Sequence, residues 1–162
     1  MRIRKKKKIL NPRSENTWTK IANTMNEVCV MLDKLYDINC GGCCYIAYCL
    51  AKLLRKDRIP YSIEVISFHE MEEYNDCNDF NNLDWNFNHY GICLGSTRIN
   101  ITEEDVASSE FTLNFDNVSP KVIKSHYDSG YWNDCYDIDK NDFIWEILRK
   151  FYYECTEDLR ER

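Results

Sequence analysis

The sequence has no run of 18 apolar residues, so no segment of it is long enough to cross a bilayer as a helix. It lacks internal repeats, and beyond its first 13 residues it has no low-complexity tract. The basic N-terminus is followed by Ile9 to Pro12 rather than by the apolar stretch of a secretory signal, so we expect a cytoplasmic protein. Membrane-spanning and exported classes are therefore not favoured.

The chain has 162 residues, of which 44% are hydrophobic and 14% aromatic, enough for one domain with a substantial core but too few for two. Nine cysteines would suggest a disulfide scaffold in a short secreted protein, but the count is odd and several lie in apolar helical patterns. We therefore expect reduced thiols. Cys29, Cys49 and Cys155 are expected to be small hydrophobic residues of helices.

The net charge of −6 is unevenly distributed. Residues 1–13 contain seven Lys or Arg and no acid, which leaves −13 on residues 14–162. We expect residues 1–13 to form a flexible basic arm and residues 14–162 to form a single domain. Such an arm can make weak contacts with nucleic acid or with an anionic surface. The Asn-, Asp-, Tyr- and Lys-rich composition is typical of AT-rich genomes, including those of bacteriophages.

Apolar spacing predicts three main helices. The first runs from Ser14, a candidate N-cap, to Asp37; the second begins at Cys43 and ends before Ile59; the third begins at Asn141. Alternating patterns predict strands over 61–68, 89–94, 97–102 and 111–115, the middle two forming a hairpin about residues 95–96. Short helical turns are expected at 103–109 and after residue 119, and loops at 69–88 and 127–139. The elements together predict an α+β domain.

A glycine turn, Gly41–Gly42, delivers Cys43 to the first turn of the second predicted helix. The free N–H groups and the partial positive charge of a helix start stabilise a thiolate, which is the nucleophilic form of cysteine. Cys43 is therefore a candidate nucleophile. Cys44 is expected to point into the core.

The register of the predicted hairpin places a candidate base and a candidate orienting residue together. A two-residue turn pairs Leu94 with Thr97 and continues to His89 opposite Thr102. Because side chains alternate, His89, Gly91 and Asn100 share a face, and only a hydrogen atom of the glycine separates the imidazole from the amide. The apolar partners fall on the opposite face, against the core: Tyr90, Ile92, Leu94, Ile99 and Ile101. Nucleophilic acyl chemistry needs such a set, with Cys43 as nucleophile, His89 as acid and base, and Asn100 to fix the imidazole tautomer.

Residues 41–47, which read Gly-Gly-Cys-Cys-Tyr-Ile-Ala, and the later Ile59–Pro60 resemble the transglutaminase-like branch of the papain-like cysteine peptidase superfamily. Its motif is Gly-x-Cys-x-x-x-Ala on a helix, followed by Gly-Ile-Pro and a strand. The resemblance implies a central helix with the cysteine, packed on an antiparallel sheet with the histidine and the third residue. It also implies thiol-dependent hydrolysis or transfer at an amide bond of a protein or peptide substrate. This chemistry needs no cofactor or metal, and we expect none.

The sequence departs from that pattern in several places. Arg58 stands where glycine usually precedes Ile-Pro, no Arg-Asp follows the cysteine, and the third residue is Asn100 rather than the aspartate common in the transglutaminase-like branch. The papain glutamine that stabilises the oxyanion would fall on Asp37. Asn39 is a candidate for that role, beside the backbone N–H of Cys43.

Three other functions fit parts of the same sequence. Cys40 and Cys43 form a Cys-x-x-Cys pair that would suit a thiol-disulfide redox protein, although such a pair normally follows a strand and here a helix is predicted. A zinc site could be built from ligands at several positions, but their spacing matches no common zinc motif: Cys40, Cys43, Cys44, His89, Cys93, His126 and Cys135. A catalytically inactive papain-like module that binds a partner is the third alternative. His69 belongs to no constellation.

Overall fold

The structure is a computed structural model that describes residues 15–68, 79–82, 89–129 and 136–160. The predicted basic arm, Ser14 and most of the predicted loop at 69–88 lie outside the described residues. Within the described ranges, no helix is both long enough and apolar enough to cross a membrane.

Five helices and four strands form an α+β fold in the described part of the chain. The helices are α1 (Glu15–Tyr36), α2 (Cys43–Lys56), α3 (Glu103–Ser108), α4 (Pro120–Ser129) and α5 (Asn141–Arg160). The strands are β1 (Ser62–Ser67), β2 (His89–Leu94), β3 (Thr97–Ile99) and β4 (Phe111–Asp116). Two short 3₁₀ turns lie at Phe80–Asn82 and Ile138–Lys140. Helix α4 therefore includes the first three residues of the predicted loop at 127–139, and the second 3₁₀ turn overlaps its end.

The four strands form one antiparallel sheet in the order β3-β2-β1-β4. Helix α2 packs against β2, and α1 packs against β3. The apolar side chains of this layer interface are those that alternation placed on one face of β1 and β2: Ile63, Val65, Tyr90, Ile92 and Leu94. The fold is therefore helices packed on a four-stranded antiparallel sheet, with α2 as a richly buried central helix.

The predicted hairpin register is confirmed up to Ile99 and fails beyond it. Ile92 pairs with Ile99, Cys93 with Arg98 and Leu94 with Thr97, as the two-residue turn requires. The strand then ends, because Asn100 has a φ of +62° and leaves the extended conformation. The predicted pairs from Gly91–Asn100 to His89–Thr102 are not made.

This turn of the backbone also moves Ile101 to the other face of the sheet. A Cβ on Gly91 would lie 2.3 Å from Cγ1 and 2.4 Å from Cδ1 of Ile101. The Ile101 side chain therefore covers Gly91, on the face of the sheet toward which a side chain at position 91 would point. The prediction had placed Ile101 on the opposite face, with Tyr90. Gly91 is needed because any larger residue would displace Ile101.

Candidate active site

Cys43 is the first residue of α2, as the sequence predicts. Gly41 adopts a φ of +103°, which residues other than glycine rarely adopt. Gly42 is the N-cap, and a Cβ there would lie 2.7 Å from both the Ile38 carbonyl oxygen and the Tyr136 ring. The two glycines therefore let the turn fold tightly under Tyr136 and present the cysteine at the helix start.

His89, the first residue of β2, has two hydrogen-bonding partners. Its Nε2 is 2.5 Å from the backbone oxygen of Asn100, and the Cys43 side chain is the second partner of the ring. A carbonyl can only accept, so Nε2 carries a proton and Nδ1 is the nitrogen that remains for the thiol. The structure thus brings Cys43, His89 and Asn100 into one continuous arrangement.

The surroundings of His89 favour its protonated form. Burial alone would lower the pKa of His89, but the hydrogen bond and charge of Cys43, the Asn100 carbonyl and the Asp105 carboxylate together raise that pKa to about 9. The raised pKa favours the imidazolium form, the counter-ion that a cysteine thiolate requires.

Asn100 contacts His89 through its backbone and not through its side chain. The Asn100 carboxamide instead pairs with that of Asn39, donating from Nδ2 at 2.9 Å and accepting at Oδ1 at 3.2 Å. Its backbone N–H donates to Oδ1 of Asn26 on α1 at 3.0 Å. Three contacts thus hold the left-handed residue whose carbonyl fixes the imidazole. The predicted contact between the Asn100 amide and His89 is replaced by this carbonyl contact.

Asn39, the candidate oxyanion residue, lies in the turn between α1 and α2. Its backbone N–H donates to Oδ1 of Asp33 at 2.9 Å, and one N–H of its amide donates to Asn100. The second amide N–H and the backbone N–H of Cys43 remain the candidate oxyanion donors. Asn39 is therefore linked to His89 through Asn100, which already uses part of its hydrogen-bonding capacity.

The Cys43 and His89 side chains are covered from solvent. The exposed fraction is 1% for Cys43 and 7% for His89, whereas Asn39 is exposed. A substrate can reach the sulfur only if neighbouring groups move. Low solvent access also strengthens the attraction between a thiolate and an imidazolium.

Sequence reasoning missed two contributors to this site. Asp105 raises the pKa of His89, and it also closes a capping box in which Thr102 and Asp105 each bond the other's backbone N–H. The spacing Thr-x-x-acid at the start of α3 is the signal that predicts such a box. Asn26 is the second, and no local pattern marks a residue in the middle of α1 as a partner of the hairpin end.

Five other thiols have surroundings of their own. Cys93 donates to Oε2 of the buried Glu64 at 3.0 Å, and Arg98 bonds the same carboxylate at 2.8 Å and 3.2 Å. Burial and the neighbouring carboxylate raise the pKa of Cys93 to about 12. Cys44 is buried and donates to the Ile123 carbonyl at 3.6 Å, so it points into the core as predicted. Cys29 and Cys49 are likewise fully buried, whereas Cys155 is half-buried.

The metal and redox alternatives have little support in the part of the chain that the structure describes. Among those residues no group of three His, Cys, Asp or Glu side chains could hold a metal ion, and Cys135 lies outside them. His126 is buried and stacked on Phe80 at 4.0 Å between ring centroids, and burial lowers its pKa to about 4. Helix α1, and not the strand that usually precedes a thiol-disulfide redox pair, lies before the Cys40–Cys43 motif.

No protein-family model matches the chain, and neither the search of curated proteins nor the search of solved structures gave a match.

Proposed function

We propose that this chain is a thiol-dependent hydrolase of amide bonds with a papain-like arrangement. The observation that carries the proposal is the position of the His89 imidazole, which contacts the Cys43 side chain at the start of α2 and the Asn100 carbonyl. The nucleophile therefore contacts the acid-base group, and the acid-base group contacts the orienting group, as acyl transfer by a cysteine requires. The resemblance of the Gly-Gly-Cys segment to the transglutaminase-like branch supports the same chemistry.

The reaction uses these groups in two steps. The Cys43 thiolate attacks the substrate carbonyl carbon, forming a C–S bond, and the oxyanion accepts hydrogen bonds from the Cys43 N–H and the Asn39 amide. The C–N bond then breaks as His89 passes its Nδ1 proton to the leaving amine. Water next attacks the thioester carbon, forming a C–O bond and giving a proton to Nδ1 of His89. The C–S bond then breaks, which releases the acid and restores the thiolate–imidazolium pair. The substrate proposed is a protein or peptide.

Acylation by an activated ester tests this proposal. The wild-type protein should release p-nitrophenolate from p-nitrophenyl acetate in a burst of one equivalent and carry one acetyl group on Cys43 by mass spectrometry. The Cys43→Ser variant should lose both, and the Cys40→Ser variant, altered three residues away, should keep both. Acetylation that is equal in all three proteins would contradict the proposal.

A second candidate function is a catalytically inactive papain-like module that binds a partner, and the burial of Cys43 and His89 favours it. In that case the two side chains form a buried polar pair that stabilises the turn before α2, and the basic residues 1–13 contact an anionic partner. Loss of partner binding on removal of residues 1–13, with no acyl adduct on Cys43, would favour this module over the hydrolase.

A further inference from the structure

An open cleft lies at the end of α2 opposite Cys43, roughly 20 Å along the helix axis from it. Its volume is about 380 Å³, and it is open to solvent. The lining residues include two arginines and no acid: Arg55, Arg58, Ile59, Pro60, Tyr61 and Asn117. A cationic cleft stands out in a chain whose residues 14–162 carry a charge of −13.

The charges of Arg55 and Arg58 are not matched by a carboxylate in the described ranges. The ion pairs of that part of the chain belong to other cations: Arg98, Lys124 and Arg149. Asp57 lies between the two arginines in sequence, but its carboxylate accepts a hydrogen bond from the Tyr152 hydroxyl at 2.7 Å, on α5. Arg55 also hydrogen-bonds the Tyr61 side chain, which lines the same cleft. Because each guanidinium has five N–H donors, both arginines retain donors for an anion in the cleft.

Arg58 occupies a backbone position that normally belongs to glycine. Helix α2 ends with the Arg58 N–H bonded to the Arg55 carbonyl and the Ile59 N–H bonded to the Leu54 carbonyl, and Arg58 has a φ of +59°. This is the glycine-favouring end of a Schellman motif. The long cationic side chain is thus held at a position where a residue without a side chain would be more stable.

Asn117 adds neutral donors to the lining of the cleft. Its Oδ1 accepts a hydrogen bond from the Tyr61 backbone N–H at 3.3 Å. The amide nitrogen is therefore the end of the carboxamide that can donate to a ligand. Ile59 and Pro60 supply an apolar wall beside these donors.

We propose that this cleft binds the phosphate group of a small phosphorylated molecule. The planar guanidinium fork bonds phosphate oxygens in pairs, and Arg55, Arg58 and Asn117 approach the cleft from the ends of two different elements. The volume suits a small ligand. A polyanion would also meet the acidic remainder of the surface, which disfavours nucleic acid here.

Calorimetric titration with phenyl phosphate and with inorganic phosphate at low salt tests the proposal. Both should bind saturably, and phenyl phosphate more tightly because its ring can contact the apolar wall. In the Arg58→Gly variant binding should weaken about tenfold, while the melting temperature rises because the left-handed backbone is relieved. A higher melting temperature would show that Arg58→Gly binds more weakly for a reason other than unfolding.

The Arg149→Gln variant is the matched control, since it removes the same charge from an arginine on α5 that does not line the cleft. It should bind both phosphates as the wild type does. Three results would overturn the proposal: no saturable binding up to about 10 mM ligand, equal weakening in Arg149→Gln, or equally tight binding of acetate.

Discussion

Replacing Asn100 by glycine separates the role of its backbone from the role of its side chain. Glycine adopts the observed φ of +62° without steric cost, so the Asn100→Gly variant keeps the carbonyl that contacts His89. It loses the carboxamide that pairs with Asn39. The Asn100→Ala variant loses the same carboxamide and also places a Cβ on a left-handed backbone.

The expected losses of stability follow from these contacts. Each hydrogen bond of the partly buried amide pair contributes about 1 kcal/mol, so both variants should lose about 1–2 kcal/mol of unfolding free energy. The left-handed conformation costs alanine about 1 kcal/mol more than glycine. Urea denaturation should therefore rank the proteins as wild type, then Asn100→Gly, then Asn100→Ala.

The rate of Cys43 alkylation by iodoacetamide at pH 6 provides the functional measurement. If the backbone carbonyl orients His89, the Asn100→Gly variant should retain the wild-type rate within about threefold. A fall in Asn100→Gly as large as the fall in a His89→Gln variant would refute this reasoning. It would show that the carboxamide, and not the carbonyl, maintains the Cys43–His89 pair.

Three further substitutions test other parts of the structure. Gly42→Ala should destabilise the fold by about 2 kcal/mol, measured by urea denaturation, because its Cβ would lie 2.7 Å from the Tyr136 ring. Glu64→Gln should cost about 1–3 kcal/mol in the same assay, because the buried carboxylate loses its charged bond to Arg98. Burial holds the pKa of His126 at about 4, below the unfolded value of 6.5, so the unfolded state binds more protons between these values. Stability should therefore fall by up to about 3 kcal/mol between about pH 6.5 and 4, and a His126→Phe variant should lose this part of the pH dependence.

Local patterns were enough to predict most elements and much of the candidate site. The helix start at Cys43 follows from Gly41–Gly42 and the apolar period after it, and the hairpin turn fixes the register from Leu94 to Ile92. The alternating pattern of residues 89–94 predicts a strand that begins at His89, as the structure has it. These features depend on neighbours in sequence, which is why sequence reasoning reaches them.

The backbone conformation of Asn100 depends on distant residues and could not be predicted in this way. Its bonds go to Asn26 on α1 and Asn39 before α2, so tertiary contacts overcome the alternation that predicted a longer strand. One residue in the left-handed region then redirects both its own carbonyl and Ile101. Helix α4 also extends to Ser129, within a segment that the sequence predicted to be a loop.

The central proposal, that Cys43 and His89 form a reactive thiolate–imidazolium pair, is tested most directly by comparing two cysteines in one protein. Cys40 is half-buried and Cys43 is 1% exposed, so solvent access alone predicts that Cys40 is alkylated first. We predict the opposite order for iodoacetamide at pH 6, followed by peptide mass spectrometry, and loss of the Cys43 preference in His89→Gln. Faster labelling of Cys40 in the wild type, or a Cys43 rate unchanged by His89→Gln, would contradict the proposed pair.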